Sequence, residues 1–151
     1  MSYTDKSLLP NETVVHRTRL SKIIFVTPAL FFAIGIFFFV VGTSNAPALG
    51  FLAMIFLLLG LLITLSRWIA YATSEFAVTD RRVIIKTGLL RRRTLEMQLA
   101  KLEAIAVNQG LAGRIFGYGN ITVTGSGGTK EPFKMIQGPL DFRRATQAAT
   151  N

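Results

Sequence analysis

Seven basic side chains, Arg81, Arg82, Lys86, Arg91, Arg92, Arg93 and Lys101, crowd into the stretch EFAVTDRRVIIKTGLLRRRTLEMQLAK that begins at Glu75. Their chemistry is anion binding. Each basic residue held near an anionic leaflet contributes about 1 kcal/mol of attraction. The competing reading is charge that sets membrane topology and keeps the chain soluble, and the two readings are compatible. Nucleic acid is not an expected partner, because no nucleic-acid motif accompanies the charges.

Other chemistry finds little material. The chain has no cysteine and one histidine, His16, so a thiol nucleophile, a disulfide and a histidine-rich metal site are all absent from the expectation. Glu75, Asp80, Glu96 and Glu103 do not form a recognisable carboxylate pair. Asp80 reads as the residue that shapes a turn before Arg81. The run Gly125-Ser-Gly-Gly-Thr-Lys130 lacks the spacing and the following helix of a phosphate-binding loop, and reads as a hairpin turn. No catalytic residue, cofactor or metal is expected, and the chain reads as a non-enzyme.

The elements that carry the basic residues are strands. Phe76 and Val78 alternate with Ala77 and Thr79, and Leu95, Met97 and Leu99 with Thr94, Glu96 and Gln98. Ile105 and Val107, Ile121 and Val123, and Phe133 and Met135 repeat the pattern. A period of two with turn residues between the runs predicts antiparallel β-structure. Leu111–Phe116 predicts one short helical turn. Pro139 opens a C-terminal helix whose apolar face carries Phe142, Ala145 and Ala149.

Upstream, the composition changes. The chain is 50% hydrophobic with a net charge of +9, yet Ile23–Ser66 holds no charged residue and no histidine. Thr43-Ser-Asn-Ala-Pro47 breaks this run into two segments, roughly Ile23–Gly42 and Ala48–Ser66. A spanning helix needs about 20 residues, so both qualify. Backbone groups in lipid must bond internally, which makes helices the form expected. Arg17, Arg19 and Lys22 precede the pair and Arg67, Arg81 and Arg82 follow it, while the connecting loop is uncharged. Both termini are therefore expected in the cytoplasm, with Trp68 and Tyr71 at the interface. Ala29 and Ala33 have the spacing of a small-residue helix contact.

Three regions result: a cytoplasmic arm over 1–22, a two-helix transmembrane hairpin over 23–66 and a β domain over 67–151. The last is short for a complete barrel. Val14 and Val15 are good strand material, so Thr13–Arg19 is expected to add a strand to its edge.

The order Thr79-Asp80-Arg81-Arg82-Val83, Gly88-Leu89, Leu99 through Gln109, then Gly113-Arg114 with Gly117-Tyr118-Gly119, resembles the bacterial pleckstrin-homology-like (PH-like) membrane proteins. Leu9-Pro10-Asn11-Glu12 before a membrane hairpin fits the same pattern. The resemblance implies an antiparallel, partly open barrel capped by a C-terminal helix, in the cytoplasmic (inner) membrane of a bacterium. It implies a binding or assembly module acting through anionic lipid or protein contacts. Two alternatives stay open: a self-assembling, homo-oligomeric membrane protein, and an accessory subunit of a membrane enzyme or transporter.

Overall fold

A computed structural model describes Thr4 and residues 7–45, 47–88 and 93–150. The chain divides into two compact units, one made of 22–69 and the other of 1–21 together with 70–151.

The first unit is a helical pair. A 3-10 turn over Lys22–Phe25 leads into α1, Val26–Asn45, and α2 spans Pro47–Thr73. At about 1.5 Å per residue these are roughly 30 and 40 Å long. Both are long and apolar enough to cross a membrane. The second outruns the expected end at Ser66, because Arg67, Trp68 and Tyr71 continue the helix. The helices pack through glycine and aromatic rings. A Cβ on Gly35 would lie 2.9 Å from Leu57. Phe56 sits against Phe31 and Phe38, with ring centroids 6.0 and 5.8 Å away. Ala29 and Ala33 do not make the close contact that their spacing offered; both are exposed.

Among the described residues, the second unit holds seven strands in two sheets. The first sheet runs β1 (Val14–Thr18), β2 (Glu75–Thr79), β3 (Arg82–Thr87) and β4 (Arg93–Gln98), each antiparallel to its neighbour. The second runs β5 (Leu102–Asn108), β6 (Tyr118–Gly125) and β7 (Lys130–Gln137), also antiparallel. The β1 edge meets β7. Leu20 bridges Ile136, Ser21 N–H donates to Met135 O at 2.7 Å, and Gln137 N–H donates to Arg19 O at 2.9 Å. Between β4 and β5 a 3-10 turn over Leu99–Lys101 replaces a ladder, so the barrel is open there.

The helix α4, Pro139–Thr150, closes the structure. Proline at its first position loses no hydrogen bond there. Phe142 enters the core with Phe76, Val78, Val83, Ile85, Ile121 and Val123. A partly open antiparallel barrel with a C-terminal helix is the fold that the alternation and the PH-like resemblance imply.

The helical pair is an insertion between β1 and β2, which are adjacent: Thr18 faces Phe76 across the ladder. A short α3, Leu111–Phe116, joins β5 to β6.

Candidate functional site

The residues Leu9-Pro10-Asn11-Glu12 fold back on themselves. Asn11 takes φ 64, a left-handed turn conformation that asparagine tolerates better than most residues. The turn returns Glu12 toward Leu9: Glu12 N–H donates to Leu9 O at 3.0 Å, and Leu9 N–H donates to Glu12 Oε2 at 2.7 Å. The Glu12 side chain is 0% exposed.

A carboxylate this buried needs a cation and several donors. Arg82 supplies both. Its Nε donates to Glu12 Oε1 and its Nη2 to Glu12 Oε2, each at 2.9 Å, in the forked geometry of a strong arginine–carboxylate pair. Nη2 also donates to Ser7 O at 2.6 Å and Nη1 to Glu96 Oε2 at 2.7 Å. Thr79 completes the cluster. Its hydroxyl lies 2.8 Å from Glu12 Oε1 and accepts the Arg81 and Arg82 N–H groups. Asp80 ties the same turn to the arm, accepting Thr13 N–H at 3.1 Å.

Burial alone would push the Glu12 carboxyl up. The bonds from Arg82, Leu9 N–H and Thr79, with the Arg82 charge, outweigh it and hold the pKa at about 2, against an ordinary 4.5. A depressed acid stabilises the fold above its unfolded pKa. That contribution is lost as pH falls from about 4.5 through about 2. At about 1.4 kcal/mol per unit it is on the order of 3 kcal/mol. Glu12→Gln should therefore flatten the acid limb of the stability profile between those pH values, measured by thermal unfolding of the full chain. A variant limb parallel to that of the parent protein would show that Glu12 is not the group responsible.

Among the described residues, the expected basic group does not form one patch. Arg81 is exposed and Arg82 half-buried at the β2–β3 turn; Lys101 is exposed beyond β4. Lys86 and Arg93 stand at the other end of the sheet, where Lys86 pairs with Glu75 across the ladder. About 13 Å separates Arg82 from Lys86, at roughly 3.3 Å per strand residue. Arg93 forms an ion pair with Glu131. Arg91 and Arg92 lie outside the described residues. Arg82 is already committed to two carboxylates and a carbonyl, a role invisible in its charge alone.

A cleft of about 690 Å³ opens at the turn end, with Leu9, Asp80, Arg81, Arg82, Glu96 and Ala149 among its walls. Its concavity, apolar walls and charges of both signs can take a small polar group. No cluster of three or more His, Asp or Glu suited to a metal occurs among the described residues. Glu12, which ties the arm to Arg82, is the residue of this cluster that the charge pattern missed. Its signal was the Asn-Glu turn, read there only as part of a family opening.

A model of the bacterial PH domain family matches residues 23–150. The match takes in both apolar helices and six of the seven strands, and it begins after β1 and Glu12. No curated protein and no solved structure matches the chain. The two antiparallel sheets, the gap between β4 and β5 and the C-terminal helix agree with the family match, and the chain belongs to the bacterial PH domain family.

Proposed function

We propose that this chain is a membrane-anchored binding module, with its β unit on the cytoplasmic face of a bacterial inner membrane and no catalysis of its own. PH-like domains act as binding or assembly modules and are typically non-catalytic. One observation carries the anchored reading: two helices of spanning length are inserted between two strands that are neighbours in one sheet. The chain leaves the sheet beside Thr18 and returns at Glu75, with no long linker at either junction. A domain tethered twice in this way needs no affinity for recruitment. Its surface is free to orient it and to hold something else.

The end of the sheet next to those junctions carries Lys86 and Arg93, and the connection between them includes Arg91 and Arg92. This favours anionic headgroups as the contact there, since basic residues act on a leaflet within about a Debye length. The cleft at the opposite end, with Asp80, Arg81 and Glu96 on apolar walls, favours a protein partner as the second contact, since its charges are of both signs.

Topology is the direct test. The chain has no cysteine, so single ones can be introduced cleanly. Ser44→Cys should react with an impermeant thiol reagent added outside intact cells, and Ser126→Cys only after permeabilisation. The reverse pattern would overturn the cytoplasmic placement, and equal reactivity at both positions would overturn anchoring by a hairpin.

A further inference from the structure

The short helix α3 is built in an unusual way. Its residues Leu111, Ile115 and Phe116 are 81%, 78% and 58% exposed. The one buried position is Gly113, which faces the sheet. A Cβ there would come within 2.5 Å of Tyr118 O, so the backbone is pressed against the start of β6. Gln109 locks it further, its amide donating to Gly113 O at 2.9 Å and to Tyr118 O at 3.0 Å. Gly117 ends the helix at φ 68, and its N–H returns to Gly113 O. Six residues cannot sustain a helix in water on propensity alone. Tertiary bonds hold this one, and they hold it with its large apolar side chains pointing outward.

Single exposed apolar residues are ordinary, but three on one six-residue helix held by tertiary bonds mark a contact surface. Its place in the unit identifies the contact. Leu20, the second-last residue before the apolar insertion, bridges Ile136, and Ile136 pairs with Gly119 at the foot of α3. Two ladder steps of about 4.8 Å therefore separate α3 from the point where the chain departs. Arg19, Arg114 and Lys134 are exposed along the same edge. The acids nearest Lys134 in sequence are already paired: Glu131 with Arg93, and Asp141 with Arg144 at 3.6 Å. A second copy of the chain would bring like charges together. An anionic bilayer supplies both an apolar phase and the opposite charge.

We propose that α3 is an interfacial wedge: Leu111, Ile115 and Phe116 enter the headgroup–acyl boundary of an anionic leaflet while Arg114, Arg19 and Lys134 stay among the headgroups. The inference rests on the membrane-anchored reading above. Insertion of an apolar face by roughly 5–10 Å is the depth ordinary for such contacts. The long basic side chains can reach headgroups from beside the wedge. The wedge would fix how the β unit is turned toward the leaflet, a degree of freedom that the tether leaves open.

The test uses the full chain in vesicles of phosphatidylglycerol and phosphatidylcholine, with an environment-sensitive fluorophore on Ile115→Cys or on Ser126→Cys. At position 115 the expected result is a blue-shifted emission, loss of quenching by iodide and quenching by shallow spin-labelled lipid. Position 126, at the far end of β6, should stay accessible to iodide. Trp68, the single tryptophan, reports on α2 in the same samples. Trp68 quenched by lipid with position 115 open to iodide would overturn the wedge and leave the anchor standing. Trp68 untouched by lipid would overturn the anchor and the wedge with it. A blue shift that grows with protein-to-lipid ratio and ignores spin-labelled lipid would assign α3 to a protein contact instead. An equal shift in vesicles of phosphatidylcholine alone would overturn the requirement for anionic lipid.

Discussion

Arg82→Ala should destabilise the β unit by about 3–5 kcal/mol, the usual result of stripping the partner from a buried charge. The Glu12 carboxylate would remain, 0% exposed, with Thr79 and the Leu9 N–H as its remaining donors. Ser7 O would lose the guanidinium that anchors it across the outer face of the first sheet. Against a typical total of about 5–15 kcal/mol, the loss is a large fraction of the stability. Hydrogen exchange on the full chain in detergent would read it as a hundredfold or greater acceleration of β1 and β2 amides, since about 1.4 kcal/mol is a factor of ten. The double variant Glu12→Leu with Arg82→Met is the informative partner. Removing both charges together should recover most of the loss, because apolar groups of similar size often replace a buried pair at little cost. A single variant within about 1 kcal/mol of the parent would show that the pair does not secure the arm.

That cluster also shows where sequence reading stops. Arg82 is one of seven basic residues in a row of similar ones, and nothing local distinguishes it from Arg81. Its partner lies 70 positions earlier, on the other side of an apolar insertion. Alternation located the β-strands well where both faces differ. Ile121 and Val123 point into the core, and Thr122 and Thr124 beside them are only half-buried. It failed where the backbone leaves the regular pleat. Phe133 and Met135 share a parity, yet Phe133 is buried and Met135 exposed, and Ile136 is buried in its place. Met135 sits at φ 59, beside an irregularity in the β6–β7 register, with its N–H bonded to Asn120 Oδ1. A one-residue irregularity flips the faces that follow it.

Leu111 and Ile115 pose the converse problem. Their i, i+4 spacing is that of a core-facing helix stripe, and the structure turns them outward. The reason is Gly113, whose missing side chain lets the opposite face of the backbone approach β6. Composition shows a glycine in a short helix but not which face it opens. The first residues hide for another reason. Thr4 and Ser7 carry no periodic signal, yet Thr4 donates to Glu75 Oε2 and Ser7 O accepts from Arg82. Those two attachments bracket Ala77 and Ile84 on the outer face, and both residues are buried at 1% exposure.

Phe142→Ala should be about as damaging as loss of Arg82, by a different route. The barrel lacks a ladder between β4 and β5, so its core depends on what α4 puts into the opening. Phe142 is the largest side chain that α4 contributes, and it is 0% exposed. Its ring stands edge-on to His16 of β1, with centroids 6.4 Å apart, so it also joins the first strand to the last helix. Truncating a buried phenylalanine costs about 3–5 kcal/mol, from lost transfer energy and the cavity left behind. Two features limit relaxation into that cavity. Pro139 and the Phe142 N–H bond to Gly138 O fix the helix start. Thr146, one turn on, is buried with its hydroxyl bonded to Phe142 O. Collapse would have to drag both. Leu140→Ala on the same helix, at a position 39% exposed, should cost less than about 1 kcal/mol. The contrast separates core filling from helix propensity, because alanine favours the helix in both variants. Hydrogen exchange across α4 and β1 measures it: both should lose protection together in Phe142→Ala and keep it in Leu140→Ala. If α4 alone is loosened while β1 and β2 stay protected, the two sheets hold their core without the helix.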